Sequence, residues 1–365
     1  MAPLLFFTTR FLDCQKLLPL WQARRQITLN FSPARLSGYD VVVVLTVFLL
    51  RSIWYSISTK WMKVRNGKLL EELSRPSTDH ALSLCMPLRT SQGDIDAFSL
   101  AVREASKSGF PSSNVDTLLF LSAVSEPAML LLLAQKHCKV RPLGSVNVRN
   151  RFELLRPDLC TPQYLRSFNG AVLNATCSKV VRKVKRGFEI DLTVSVDVPS
   201  GQDGSFTTMF RQIFTILQFA NVQADVSPFS SVNSDPNWLY PLPFRVNYDE
   251  PSFWARVCKD YNPIHTSTIA AKAFGFPGKI AHGNHVAAKA FDVLTKSASA
   301  PSCIGLSHSQ EPLWMEVMFR RPVIVPAQLE TTISQSTLKK DGTSFTAFEI
   351  LNQSKVCIEG KFGKL

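Results

Sequence analysis

Asp260-Tyr-Asn-Pro-Ile-His265, then Ala271-Lys-Ala-Phe-Gly-Phe276, then Gly278-Lys-Ile-Ala-His-Gly283, decide how this chain is read. An acid and an imidazole stand five residues apart, with Pro263 between them. Proline disfavours helix at the residue before it. The chain is therefore expected to turn at Asn262 and to aim Asp260 and His265 at one point, with the Asn262 side chain holding the turn. Thr266-Ser267-Thr268 offers an N-cap for a helix over Ile269–Phe274, which would leave His265 just outside that helix. Gly283 comes eighteen residues after His265, behind His282. A helix starting there has free backbone N–H groups and the positive end of its dipole, an arrangement suited to a developing oxyanion. Glycine also lets a ligand approach that backbone closely. Ala287, Ala288 and Ala290 make the helix slim enough for a sheet to wrap it.

Taken singly, each piece has a plain reading. D-x-N-P is often only a turn. A lone histidine is more often structural than catalytic, and Gly283 could simply begin a helix. The ordered combination is far more specific. His265, His282 and His285 could suggest a metal site, but no pair of carboxylate ligands accompanies them, so neither metal nor cofactor is expected. The nucleotide fingerprints G-x-G-x-x-G and G-x-x-x-x-G-K-[ST] are absent, which removes support for redox or NTPase chemistry.

Around the motif the pattern predicts a strand near Phe244–Tyr248, a helix near Ser252–Cys258, a helix near 283–296, and strands near 313–320, 328–339, 343–351 and 354–362. This second unit spans 243–365, behind a Ser-, Pro- and Asn-rich linker at 226–242. A first unit at 81–225 has strands at Val146–Phe152, Lys179–Lys185, Phe188–Val198 and Phe206–Ile216, with a turn at Gly201–Gly204. Its apolar run Leu118–Leu133 is broken by Glu126-Pro127, so a buried helix starting near Pro127 is expected rather than a membrane span. Phe152-Glu-Leu-Leu-Arg-Pro157 and Val317-Met-Phe-Arg-Arg-Pro322 echo each other, each following the long helix of its own half. Two similar modules, each a helix wrapped by an antiparallel sheet, fit that echo.

The N-terminal part differs in character. Residues 1–62 are read as a targeting or transmembrane segment, and 63–80 as a linker. The first 38 residues carry Arg10, Lys16, Arg24, Arg25 and Arg35 against one acid, Asp13, like a mitochondrial targeting segment. Val41–Leu50 is an uninterrupted apolar run, and residues 41–57 make a marginal membrane span if Arg51 is tolerated. Trp54, Tyr55 and Trp61 would suit a membrane interface, with Arg51 snorkelling towards it. The alternative is a buried element of the folded domain. The terminal Gly363-Lys-Leu365 only weakly resembles a peroxisomal S-K-L tail.

The chain has 365 residues, room for about two domains, and 45% apolar content, enough for a core. Lys and Arg number 41 against 28 Asp and Glu, and residues 1–80 carry 11 of the bases and 5 of the acids. A basic surface suits a phosphorylated ligand or an anionic membrane, or serves solubility alone. No nucleic-acid-binding signature is present, so no nucleic-acid partner is expected. Eight scattered cysteines without C-x-x-C argue against a disulfide scaffold and for a reducing compartment.

On the quoted motifs, residues 244–365 resemble the MaoC-like hot-dog domain of (R)-specific enoyl-CoA hydratases and 3-hydroxyacyl-thioester dehydratases. The stretch 81–365 resembles the family's double-hot-dog members, and Phe319-Arg-Arg-Pro-Val323 matches the strand after the central helix. The resemblance implies an α+β double hot dog whose degenerate N-terminal half pairs with the catalytic half as an intrachain pseudo-dimer, compatible with further homodimerisation. It implies Asp260 and His265 as the acid–base pair, Asn262 as their support and Gly283 as the oxyanion N–H. It also implies His282 and Phe319 beside the substrate, and an acyl-CoA or acyl-carrier-protein thioester as that substrate. Two departures are Cys258-Lys259 in place of Ser-Gly before the acid, and Ser267 in place of an acid after the histidine. The competing reading is a non-catalytic acyl-thioester-binding or scaffold protein at a membrane.

Overall fold

The computed structural model describes residues 14–61, 81–103, 109–111, 113–142, 144–201, 204–220, 238–239, 241–297, 310–334, 337–338 and 344–365, with backbone alone at 14, 52, 54–61, 337 and 338. The first half supplies β1 (Gln26–Thr28), β2 (Ser83–Pro87), β3 (Ser145–Leu154), β4 (Val172–Val184), β5 (Gly187–Pro199) and β6 (Phe206–Phe219). The second supplies β7 (Leu242–Val246), β8 (Leu313–Phe319), β9 (Ala327–Ile333), β10 (Thr337–Leu338), β11 (Ser344–Asn352) and β12 (Lys355–Lys364). One twelve-stranded sheet runs β1-β2-β4-β5-β6-β3-β8-β12-β11-β9-β7, with β10 on β11.

The helices are α1 (Gly38–Trp61), α2 (Gln92–Val102), α3 (Asn114–Ala134), α4 (Pro162–Leu165), α5 (Glu250–Cys258), α6 (Pro263–Thr266), α7 (Thr268–Ala273) and α8 (Gly283–Lys296). The seam of the sheet is the antiparallel pair β3 and β8, in register from Arg149 opposite Met318 to Leu154 opposite Leu313. About that seam β2, β3, β4, β5 and β6 correspond to β7, β8, β9, β11 and β12, and α3 corresponds to α8. This is the double hot dog. The sequence echo falls just beyond the ends of the two seam strands, at Arg156-Pro157 and Arg321-Pro322.

Alternation explains the wrapping. In β5 alternate residues from Phe188 to Val198 are buried, which turns one face of the strand inward. The strand expected at Lys179–Lys185 is the end of a longer β4, whose earlier residues Leu173 and Ala175 are buried in the core. Helix α3 starts at Asn114, not near Pro127. Ser113 caps it, its Oγ accepting from the Asp116 N–H at 3.0 Å. Pro127 lies inside, tolerated because every α3 side chain except Leu130 is buried and tertiary packing overrides propensity. By length and composition α3 could cross a membrane, yet 94% of its apolar window lies inside the protein.

Residues 14–51, expected to be a targeting or membrane segment, pack into the folded body. Strand β1 pairs in parallel with β2, and Leu17, Leu20 and Ile27 are core residues. Helix α1 lies on α3 by one face, burying Val41, Val44 and Phe48. Arg51 does not reach for a membrane interface. Its guanidinium donates to the carbonyls of Leu133, Gln135 and Cys138 at the C-terminal end of α3, where helix carbonyls lack partners and the dipole is negative. That docking is the reason for a charge inside an apolar run. The side chains of Trp54, Tyr55 and Trp61, the linker at 63–80 and the middle of the Gly201–Gly204 turn lie outside the described residues. So does most of the linker at 226–242, but its described end is structured: Trp238 bridges to Ser334, and Leu242 already belongs to β7. At the other terminus β12, an interior strand between β8 and β11, runs to Lys364, and the Leu365 N–H donates to Pro312 O at 2.9 Å, so the last three residues are held in the sheet.

Candidate active site

Helix α5 ends at Cys258, and Lys259 turns the chain in the left-handed region at φ 56°. Glycine favours that region, which is the physical content of the first departure noted above. Asp260 follows, and its Oδ1 accepts from the Asn262 N–H at 3.1 Å. The Asn262 Oδ1 in turn accepts from Ile264 N–H at 3.3 Å and caps α6. Pro263 does not stop the helix; it sits at its first position, where no N–H is needed, so His265 lies within α6 rather than outside a helix. Ser267 caps α7, its Oγ accepting from Ala270 N–H at 3.3 Å, so the second departure exchanges an acid for a helix cap.

The His265 Nδ1 faces the Ile280 carbonyl at 3.0 Å. A carbonyl only accepts, so Nδ1 carries the proton and Nε2 presents a bare lone pair. That Nε2 lies 3.9 Å from Asp260 Oδ2. The two are too far apart for a direct hydrogen bond but close enough for one oxygen to bridge. His282 stacks on His265, with ring centroids 3.7 Å apart, and its Nε2–H donates to the Asp260 carbonyl at 3.0 Å. Burial lowers the His265 pKa, against the pull of the Asp260 charge. Burial, followed by the neighbouring His265, drives that of His282 well below the usual range. Both rings are neutral near pH 7.

Gly283 opens α8 directly behind His282. A Cβ there would meet the Phe319 ring at 2.2–2.8 Å, so the Phe319 side chain packs on the α8 N-terminus, where backbone N–H groups have no partner within the helix. The structure therefore gathers Asp260, Asn262, His265, His282, Gly283 and Phe319 at one place. His282 is 5% exposed and lies behind the pair; its bonds make it a positioning group more than a substrate contact.

Two features were not read from the sequence. Glu126 of α3 is buried with Oε2 unpartnered, and its carboxyl pKa is raised well above the ordinary value, first by burial and then by the Asp260 charge. A lone carboxyl in the apolar run Leu118–Leu133 is the signal that could have found it. The other is an amide chain across the halves. Asn147 Nδ2 donates to Asn150 Oδ1 at 3.0 Å, and Asn150 Nδ2 donates to Asn284 Oδ1 at 2.8 Å. Asn147 and Asn150 are structural residues of β3, and their chain ends on the residue after Gly283.

The ligand atoms of Asp260, His265 and His282 lie within 4.8 Å of one another, a spacing a metal ion could bridge. The His282 Nε2 is already committed to a backbone carbonyl, which leaves two free ligands where a stable protein site usually needs three or more.

Comparison with known proteins bears on the fold around this site. The MaoC like domain matches residues 240–356. 3-Hydroxyacyl-thioester dehydratase X of Mycobacterium tuberculosis is 27% identical over 224 residues, covering 61% of this chain and 71% of that protein. The crystal structure of HtdX from the same organism superposes with a TM-score of 0.53 at 20% identity, over 78% of this chain and 100% of that one. A MaoC-like dehydratase from Phytophthora capsici gives 0.51 at 14% identity, over 78% and 95%. An acid, an imidazole with a fixed tautomer and a glycine-led helix thus sit inside a fold shared with these proteins, within the C-terminal stretch that matches the MaoC like domain.

Proposed function

We propose that this protein is a hydro-lyase that interconverts a (3R)-3-hydroxyacyl thioester with the trans-2-enoyl thioester plus water. The observation that carries the reading is the convergence of the bare His265 Nε2 and Asp260 Oδ2, 3.9 Å apart, beside the N-terminus of α8. In hydration, one water sits between them. Its oxygen attacks C3 while one proton passes to Nε2, and the electron pair of the double bond moves onto the thioester oxygen. The Gly283 N–H and the α8 dipole stabilise that oxyanion. The proton on Nε2 is then delivered to C2, the carbonyl re-forms, and the imidazole returns to its starting state. Asp260 orients the water and stabilises the transient imidazolium. Dehydration is the same path in reverse. The R configuration and the carrier, CoA or acyl carrier protein, rest on the resemblance alone, and the thioester itself is also in the name of the Mycobacterium tuberculosis relative. The purified full-length chain, given crotonyl-CoA, is expected to lose enoyl absorbance and yield (3R)-3-hydroxybutyryl-CoA on chiral chromatography, with the rate retained in EDTA. The S product, or no turnover across short and long enoyl thioesters, contradicts the proposal.

A second reading concerns where the enzyme works. On the outward face of α1, Val42, Leu49, Leu50 and Ile53 are 45–59% exposed, and Arg24 and Arg35 stand exposed in the preceding segment. With its inner face already packed on α3, α1 leaves an outer apolar face beside cations, which suits the plane of an anionic bilayer better than a span. The basic, acid-poor first 38 residues favour a mitochondrial membrane. Co-sedimentation with vesicles containing cardiolipin, lost in Leu49→Ser/Leu50→Ser, is the expected result; the same sedimentation for the variant contradicts it.

A further inference from the structure

One end of the first half gathers cations. The stretches 135–152 and 171–188 hold no aspartate or glutamate, and both come to the surface at the same place. The Arg141 N–H donates to the Gln218 Oε1 at 3.0 Å, and Gln218 of β6 stands opposite Phe188 of β5. The Ala220 N–H donates to the Arg186 carbonyl at 3.2 Å, and the Phe219 N–H to the Gly144 carbonyl at 3.4 Å. The end of β6 thus joins the turn that follows α3 to the β4–β5 hairpin. Lys136, Lys139, Lys179, Lys183, Lys185 and Arg186 are exposed in these two segments. Arg182 stands apart from this set, since Glu189 and Asp191 of β5 hold its guanidinium.

We infer that this basic end is the electrostatic contact of the protein with an anionic bilayer, working beside the apolar face of α1. The inference rests on the membrane reading above and names the side chains that meet the lipid charge. A cluster of this size next to negative headgroups is attracted within a Debye length of the surface. Two observations favour a bilayer over an acidic protein. First, apolar groups are exposed among the cations. Val180 is 64% exposed and Phe219 46%, with the Arg186 guanidinium over the Phe219 ring at 5.9 Å from its centroid. Cations around apolar groups that can enter the headgroup boundary are the pattern of interfacial binding. Second, α1 reaches the same end. Val41, Val44 and Phe48 lie on α3, and Arg51 then donates to the carbonyls of Gln135 and Cys138, on either side of Lys136. Past that point the helix runs on from Arg51 to Trp61, about 15 Å at 1.5 Å per residue. The apolar helix and the cations therefore converge at one end of the molecule.

The test is co-sedimentation of the full chain with vesicles of phosphatidylcholine alone, or of phosphatidylcholine mixed with cardiolipin. Each Lys or Arg close to an anionic surface is worth roughly fivefold in partitioning. Lys183→Gln/Lys185→Gln/Arg186→Gln should therefore bind the mixed vesicles roughly a hundredfold more weakly than the wild type. The wild type should leave those vesicles as salt is raised and should bind the neutral ones weakly. The three side chains are exposed, so matching circular dichroism and thermal midpoints are expected for the variant. Equal wild-type binding to both kinds of vesicle, or a variant that binds the mixed vesicles as tightly as the wild type, overturns the inference. If that variant binds normally while Leu49→Ser/Leu50→Ser does not, the membrane reading stands and only the basic end is removed from it. A wild type that binds neither kind of vesicle overturns both. A purified acidic acyl carrier protein supplies the last arm. If it binds the wild type and not the triple variant, while the vesicles do not discriminate between them, the basic end serves a protein and the inference fails.

Discussion

At the residue scale, two positions show how backbone demands shape the site. Lys259 adopts φ 56°, a left-handed conformation that costs an L-residue about 1–2 kcal/mol relative to glycine. Lys259→Gly is expected to raise unfolding stability by about 1 kcal/mol, read from the urea midpoint; an unchanged or lower midpoint means the lysine side chain repays its strain through contacts. Gly283 makes the opposite case. Gly283→Ala drives a methyl into the Phe319 ring, an overpacking worth about 1–3 kcal/mol. The expected rescue is Gly283→Ala combined with Phe319→Leu, which should restore most of the lost thermal midpoint. No rescue would show that the ring is not what requires the glycine. The motif itself was legible because its residues are close in sequence, and Asn262 and Ser267 cap helices as their types suggest. The strain at Lys259 was not, since nothing in the residue type calls for a positive φ.

At the element scale, α8 carries the most informative electrostatics. His285 is buried, stacked on Trp254, with its Nε2–H donating to Ala101 O at 2.8 Å. Burial, then the nearby Lys289 charge, lowers its pKa to about 4. His265 and His282 are lowered as well. The sign follows from proton uptake. Below the ordinary value of 6.5 the unfolded chain binds protons that the folded protein refuses, so stability is present above that pH and is lost as pH falls towards about 4. Urea midpoints should fall between pH 7 and pH 4, and the fall should be shallower in His285→Gln, whose amide can still donate to Ala101 O. Equal slopes would contradict the burial of a neutral ring. Glu126 has the reverse dependence. Its folded pKa is raised above 4.5, so its contribution is present at low pH and is lost as pH rises and the unfolded carboxyl ionises. Glu126→Gln should therefore gain stability over the wild type at pH 8 and not at pH 4, measured in the same titration.

Element boundaries were readable wherever the pattern had a clear period. Helix α8 matches the 283–296 expected from its slim alanine face, and β8 and β12 match their alternation. The run Val41–Leu50 has no such period, so sequence alone favours a membrane segment and leaves a docked helix as the alternative. What separates them is Arg51 meeting the end of α3 more than eighty residues away, a long-range contact no local pattern encodes. Likewise Pro127 suggested a helix start, and the burial of α3 outweighed it.

At the scale of the whole molecule, the two halves divide the labour. The second half brings Asp260, His265 and Gly283. The first half contributes Glu126 and the Asn150 amide that holds Asn284. A buried cluster joins the halves as well: Arg103 of the first pairs with Asp116 at 3.2 Å and with Asp292 of α8 at 3.5 Å. The double-module plan was visible in the Arg-Pro echo, but the pairing of the echoing strands as one seam was not, because the register of two segments so far apart is set by packing. The integration of residues 14–51 into the same body makes the full chain the proper object for every assay.

The central claim is that a neutral His265 with its bare Nε2, working with Asp260, moves the proton. The most direct measurement is the pH profile of kcat/KM for crotonyl-CoA hydration in the wild type, His265→Gln and Asp260→Asn. The wild type should hold its rate down to below pH 6.5, because burial lowers the His265 pKa, and then fall as the ring protonates. Each variant should lose about 10²–10⁴ in rate, typical of removing one member of an acid–base pair, and His265→Gln should also lose the acid limb. Near-wild-type rates in both variants, or an acid limb that survives in His265→Gln, would contradict the account.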